Sequence, residues 1–261
     1  MIFFHPAIDP VIFSLGFFEL RWYSLAYVIG FILGLYFIKK INKTKENKLK
    51  TKIIDDYFIW AVLGVIIGGR LGYVLFYQSY IFFNNPIEIF FIWKGGMSFH
   101  GGLIGIITSI FFYTKFYNIS FFQLSDLVSS AAPIGLFFGR IANFINVELY
   151  GRITDFPFAI IYPSIDNHPR HPSQLYEACL EGIIIFCILF YYNTKKNNKK
   201  KSGFSTGLFL FLYGIFRTLI EFVREPDSHI GLFLNYISIG QLLSIPLIFI
   251  GITICIKKNN T

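Results

Sequence analysis

Residues 57–77 read YFIWAVLGVIIGGRLGYVLFY, with Arg70 the single charge in 21 positions. At about 1.5 Å of helix rise per residue this run covers roughly 30 Å, the depth of a bilayer's hydrocarbon core. Residues 237–256 form a second such run, 20 long and without any charge. A water-soluble fold would not tolerate either. Of 261 residues, 54% are hydrophobic and 15% charged. The chain therefore reads as an all-α integral membrane protein, a single polytopic domain over 1–261.

About seven transmembrane helices are expected, at 22–38, 57–77, 97–116, 127–146, 173–192, 204–223 and 237–256. Positions 87–93 are apolar but too short to cross, and are expected to be re-entrant or interfacial. The net charge of +8 would suggest a nucleic-acid partner in a soluble protein, but seven lysines fall between positions 39 and 52, five between 195 and 201, and two at 257 and 258. All lie beside the ends of apolar runs, where they act as signals for the cytoplasmic side. They place the N-terminus outside and the C-terminus in the cytoplasm, with 226–235 as an external link. No nucleic acid is expected as a partner.

Positions 1–21 lack a basic leader and contain His5, Pro6, Asp9 and Glu19, so no signal peptide is expected there and 1–21 reads as an external interfacial segment. Positions 147–172 make the longest polar loop, also external. Cys179, Cys187 and Cys255 have no paired spacing and are expected to be buried small hydrophobes. No metal and no cofactor is expected. The glycines at 64, 68, 69 and 72 beside Arg70 offer close helix contacts.

Polar residues inside the apolar runs carry the functional reading. Residues 139–151 read GRIANFINVELYG. At about 100° per residue, Arg140, Asn143 and Asn146 share an arc of roughly 120°, with Gly139 inside it and Glu148 outside. A charge at bilayer depth costs a few kcal/mol, so this cluster should face protein, water or a bound head group. Arg217, Glu221 and Arg224 fall at i, i+4 and i+7, within about 60° on the sixth span. A self-compensating ion pair with one arginine reaching the interface would explain part of this stripe. A guanidinium fork also matches a phosphate, and two forks from different helices would clamp one. His100, in MSFHGG at 97–102, is a lone histidine in an apolar helix, which is more often a satisfied structural residue; with glycines beside it to admit substrate, its imidazole could also accept a thiol proton.

The run at 139–151 resembles the signature of the bacterial prolipoprotein diacylglyceryl transferases, Gly-Arg-x-Gly-Asn-Phe-x-Asn-x-Glu-x-x-Gly. Gly139, Arg140, Asn143, Phe144, Asn146, Glu148 and Gly151 match, and Ala142 replaces a glycine. The His-Gly-Gly after Phe99, the Arg-Trp-Tyr ending at Tyr23, HPSQLYE at 171–177 and Arg224-Glu225-Pro226-Asp227 resemble further blocks of that family in order along the chain. The resemblance implies an enzyme of the bacterial cytoplasmic (inner) membrane. Such an enzyme moves the diacylglyceryl group of phosphatidylglycerol onto the cysteine thiol of a prolipoprotein signal peptide. It also implies roles: His100 as base, Tyr23 as an alternative proton handler, and Arg140 and Arg217 on the phosphate. Asn143, Asn146 and Gly151 would contact the lipid, with Glu148 and Glu221 orienting the arginines. A transporter or flippase of anionic lipid, with the same arginines lining a path, is the rival from another class, and a structural membrane subunit a third. A CDP-alcohol phosphatidyltransferase is disfavoured because no Asp-x-x-Asp-Gly motif occurs.

Overall fold

In the computed structural model, which describes residues 3–16, 18–91, 96–195, 201–226 and 237–257, the chain is predominantly helical. Strands β1 (Phe3–Phe4), β2 (Val11–Leu15) and β3 (Phe18–Arg21) precede helix α1 (Trp22–Thr44). Helices α2 (Thr51–Tyr77) and α3 (Ser79–Asn84), a 3-10 turn at Pro86–Phe90, α4 (Phe99–Phe116) and α5 (Phe121–Ile145) follow. After β4 (Ile160–Ile161) and β5 (Pro169–Arg170), α6 (Ser173–Glu177) continues through a π-helical stretch (Ala178–Ile184) into α7 (Ile185–Thr194). Then come α8 (Phe204–Ile220) and α9 (Ile239–Ile256).

Four of these, Trp22–Thr44, Thr51–Phe76, Phe121–Ile145 and the continuous Ser173–Thr194, are long and apolar enough to cross a membrane; Phe204–Ile220 and Gly240–Ile256 are shorter apolar helices. The protein is thus a multi-pass membrane protein. Helix α1 outlasts its apolar run because Lys39, Lys40 and Lys43 are good helix formers that continue the turn into polar surroundings. Helix α8 ends earlier than 223, which leaves Glu221 and Arg224 in the turn that follows it. The expected re-entrant stretch is a 3-10 turn as far as Phe90. Trp93, the link from 227 onward, Asp227, the lysines at 196, 199 and 200, and Lys258 lie outside the described residues.

The chain packs as two units, Met1–Lys45 with Asp126–Thr261, and Glu46–Ser125. In the second unit α2 lies against α4 through small residues. A Cβ added to Gly72 would come within 2.7 Å of Gly101 Cα, and one added to Gly68 within 2.8 Å of Gly105 Cα. The glycine spacing read from the sequence therefore does bring two backbones together. Tyr113, fully buried, donates its hydroxyl to the Ile53 carbonyl at 2.7 Å and ties the same two helices.

In the first unit Ile185, Leu189, Phe209 and Tyr213 form a core between α7 and α8. One end of the unit is closed by polar contacts. Asn193 Nδ2 donates to Ser130 Oγ and Ser205 Oγ, both at 3.0 Å, and Thr44 Oγ1 donates to the Asn193 carbonyl at 2.8 Å. Asp126 accepts from the backbone N–H groups of Gly203 and Thr206 at 2.8 and 2.9 Å, capping α8 from a neighbouring helix. At the other end β1 pairs parallel with β4, and β4 antiparallel with β5. Positions 3–21 are thus partly strand, with β2 and β3 forming a hairpin that exposes Phe13 and Leu15.

The cysteines correct the reading from sequence. Cys179 and Cys187 are exposed on their helices and Cys255 is half-buried. A lipid-crossing helix is apolar on its outer face as well as its inner one, so an apolar position there does not imply a core.

Candidate active site

Helix α5 carries Arg140 near its C-terminal end. Gly139 beside it would have nothing within 4 Å of an added Cβ, so the space at that position is open. On the neighbouring long helix, Glu177 and Glu181 sit one turn apart and are both 0% exposed. Glu181 falls within the π-helical stretch, a local widening that often marks functional sites. Arg217 lies in the last turn of α8, with Glu221 and Arg224 following it.

These six side chains form one alternating line. Glu181 Oε2 accepts from Arg140 Nη2 at 3.4 Å. Arg140 Nε stands 2.7 Å from Glu177 Oε2, although its N–H is not directed along a hydrogen bond. Glu177 Oε1 accepts from Arg217 Nη1 at 2.6 Å. Arg217 Nη2 pairs with Glu221 Oε1, which also accepts from Arg224 Nη1 at 3.2 Å. Arg140 and Arg217, expected from sequence to act together, are therefore joined by one carboxylate from a third helix. Buried ion pairs roughly break even in stability, so a line of six at the end of apolar helices points to function.

A second line begins at Tyr23 in the first turn of α1. Its hydroxyl accepts from Asn143 Nδ2 at 3.0 Å, which also reaches Glu148 Oε2 at 3.0 Å. Asn146 Nδ2 stands 3.4 Å from Glu148 Oε1. Glu148 was expected to orient an arginine. The chain leaves the helix after Ile145, and Val147 and Leu149 adopt φ of +57°, which turns Glu148 back to the two asparagines. A left-handed β-branched residue is strained, so the surrounding bonds must hold this turn. They come from HPSQLYE: Gln174 Nε2 donates to the Glu148 carbonyl at 2.6 Å and Ser173 Oγ to that of Leu149 at 2.8 Å. The arginines are oriented by Glu177, Glu181 and Glu221.

Gly151 is the junction of three segments. Its N–H donates to the His171 carbonyl at 2.9 Å, its carbonyl accepts from Arg170 Nη1 at 3.2 Å, and it bridges to Arg224. A Cβ here would lie 2.5 Å from the His171 carbonyl and 2.7 Å from that of Val223. Gly151→Ala is expected to lower stability by about 1–3 kcal/mol through overpacking against backbone. Thermal unfolding in detergent reads this, and an unchanged midpoint would mean that the junction yields freely. Beside it, hydrogen bonds from Arg170 hold the Asp166 carboxyl below the ordinary aspartate range. Partial burial lowers the pKa of the His171 imidazole from its ordinary value.

His100 belongs to the Glu46–Ser125 unit, where it is half-buried in the first turn of α4. The entry to that helix is pinned. Ser98 N–H donates to the Gly69 carbonyl at 2.8 Å, and Ser98 Oγ accepts from Gly101 N–H at 3.3 Å as the cap. Arg70 donates to the carbonyls of Ile89 and Glu88 at 2.9 and 2.7 Å, holding the chain that leads to it. Arg70 is a structural clamp on backbone.

The residues that sequence reasoning left without a role are Glu177, Glu181 and Gln174. Two glutamates four apart inside a 22-residue apolar helix were the available signal, because each needs a cationic partner at that depth.

The family described as prolipoprotein diacylglyceryl transferase matches residues 10–257. A protein of Rickettsia typhi named phosphatidylglycerol–prolipoprotein diacylglyceryl transferase is 49% identical over 255 residues, covering 98% of each chain. Proteins of the same name from Rickettsia canadensis and Rickettsia bellii are 49% and 48% identical, over 96% and 97% of this chain and 96% of each relative. At that identity and coverage, the chain belongs to the prolipoprotein diacylglyceryl transferase family.

Proposed function

We propose that the protein transfers the sn-1,2-diacylglyceryl group from phosphatidylglycerol to the lipobox cysteine thiol of prolipoproteins. The reaction forms a thioether, releases glycerol phosphate and is the first step of bacterial lipoprotein maturation. The observation that carries this reading is the pairing of Arg140 and Arg217, from α5 and α8, on the single carboxylate of Glu177. Sulfur attacks a glycerol carbon, the C–O bond to phosphate breaks, and the departing phosphate gains negative charge. Fixed guanidinium groups in a low-dielectric site stabilise charge that develops in this way.

Asn143 and Asn146 contact the glycerol or phosphate, and Glu148 orders both amides. Gly151 keeps that turn closed, and Glu221 orients Arg217. Tyr23, bonded to Asn143, lies next to the head group. His100 is the base for the thiol on the strength of its His-Gly-Gly block. A His100→Gln variant with unchanged rate and pH profile would remove that assignment. Residues 1–261 act as one polytopic domain with seven crossings in the bacterial inner membrane, N-terminus outside, 1–21 and 147–172 external, and C-terminus cytoplasmic. Supporting this, Thr44, Asn193 and Gly203, each next to a lysine-rich stretch, meet at one end of their unit.

The test is direct. Purified protein is reconstituted with phosphatidylglycerol and a lipobox peptide, and the peptide is analysed for a thioether-linked diacylglyceryl group. Product from the cysteine peptide and none from its serine counterpart is the expected result. Absence of product together with faster movement of phosphatidylglycerol between leaflets would replace the reading with lipid transport.

A further inference from the structure

The six-residue line is already neutral: Arg140, Arg217 and Arg224 are matched by Glu177, Glu181 and Glu221, and the three carboxylates are at most 6% exposed. A phosphodiester head group adds a negative charge to a site whose cations are spoken for. A like charge within about 4–6 Å disfavours the ionised form of a carboxylate, and an uncompensated buried charge costs several kcal/mol. A carboxylate could relieve this by swinging into water. Glu177 and Glu181 are wholly enclosed and fixed on one long helix, so that route is closed.

We propose that the anionic head group enters together with one proton, and that Glu181 is the group that takes it. This rests on the reading that phosphate binds at Arg140 and Arg217. The three carboxylates are not equivalent. Glu177 touches two arginines at 2.7 and 2.6 Å, and Glu221 also touches two. Glu181 ends the line with one arginine, at 3.4 Å, and its Oε1 is buried with no hydrogen-bond partner. It has the least to lose on neutralisation and an oxygen open to the proton. Once Glu181 is neutral, Arg140 Nη2 is released from a carboxylate and its fork is free to meet phosphate.

The groups facing Glu181 allow this. They are Arg140 from α5, Arg217 and Tyr213 from α8, and Glu177 on its own helix. Helix α1 brings Tyr23 and Tyr27 into the field of Arg140 and Glu148. Glu181 is thus a positioning residue that sets the charge available to Arg140.

The experiment is titration calorimetry of the full-length protein in detergent with phosphatidylglycerol, at several alkaline pH values and, at each, in buffers of different ionisation enthalpy. Uptake of about one proton per lipid is expected, with Kd weakening roughly tenfold per pH unit on the alkaline side. Diacylglycerol, which lacks the phosphate, should bind without uptake. Glu181→Gln should bind phosphatidylglycerol with no uptake and a Kd that is flat with pH, whereas His100→Gln should keep the uptake. Should Glu181→Gln fail to fold, difference infrared spectra of the wild type decide, through a new carboxylic-acid carbonyl band on adding lipid. Saturable heat that does not depend on buffer, uptake that persists in Glu181→Gln, or no such band would overturn the proton linkage alone. No saturable heat at all would instead overturn the phosphate site.

Discussion

Arg217→Lys is expected to lose about 100- to 1,000-fold in kcat/KM while its fold is retained. Arg217 spends one Nη on Glu177 and the other on Glu221, so a single planar group spans a carboxylate of α6 and one of the turn after α8. A lysine ammonium keeps the charge, but it is a point and satisfies one of those carboxylates at a time. The other is left buried and unmatched, and the edge of the fork that would face a phosphate is gone. The charge that develops on the leaving group then meets a cation out of position. Initial rates with phosphatidylglycerol and a lipobox peptide measure the loss, and a thermal melt of the same sample separates it from unfolding. Activity within about threefold of wild type would show that charge alone suffices and that the bidentate geometry is irrelevant.

The legibility of this site follows from the depth at which its residues sit. Arg140, Arg217 and Glu221 were evident in the sequence because an ionised side chain within an apolar run needs an ion partner, a ligand or water at that depth. The glycines of α2 were evident for a related reason, since four small residues in nine positions leave a face on which another backbone can lie. Glu177 was quoted only as part of HPSQLYE, and Glu181 not at all. Their partners come from α5 and α8, 41 and 40 residues away, and no periodicity within one helix reports a pairing between three. Glu148, expected from the family resemblance to orient an arginine, meets Asn143 and Asn146 because the chain leaves the helix after Ile145. The left-handed turn at Val147 is imposed by Gln174 and Ser173 from the next helix, beyond the reach of local propensity. The strand pairing of Phe3 and Phe4 with Ile160 and Ile161 was hidden for the same reason.

Glu177→Gln is expected to be the most destabilising conservative change in the first unit, lowering stability by about 3–5 kcal/mol. The native carboxylate faces a guanidinium with each oxygen. An amide has one oxygen and one NH2, so one arginine must confront a donor in a site from which water is excluded. The six-residue line then carries an excess positive charge that nothing on α6 can answer. Relief should come from removing the excess: Arg140→Gln combined with Glu177→Gln is expected to recover more than half of the lost stability, because Arg217 still has Glu221 and Glu181, left without Arg140, can take up a proton. That recovery distinguishes an electrostatic fault from a packing fault, since Gln is nearly isosteric with Glu, and the change of Arg to the shorter Gln can only add a packing loss. The double variant should nonetheless stay inactive, having lost one of the two forks. The quantity to measure is the coupling energy from thermal or denaturant unfolding of the two single variants and the double. Additive losses would mean that Glu177 does not hold the arginines together, and that the two forks are set by their own helices.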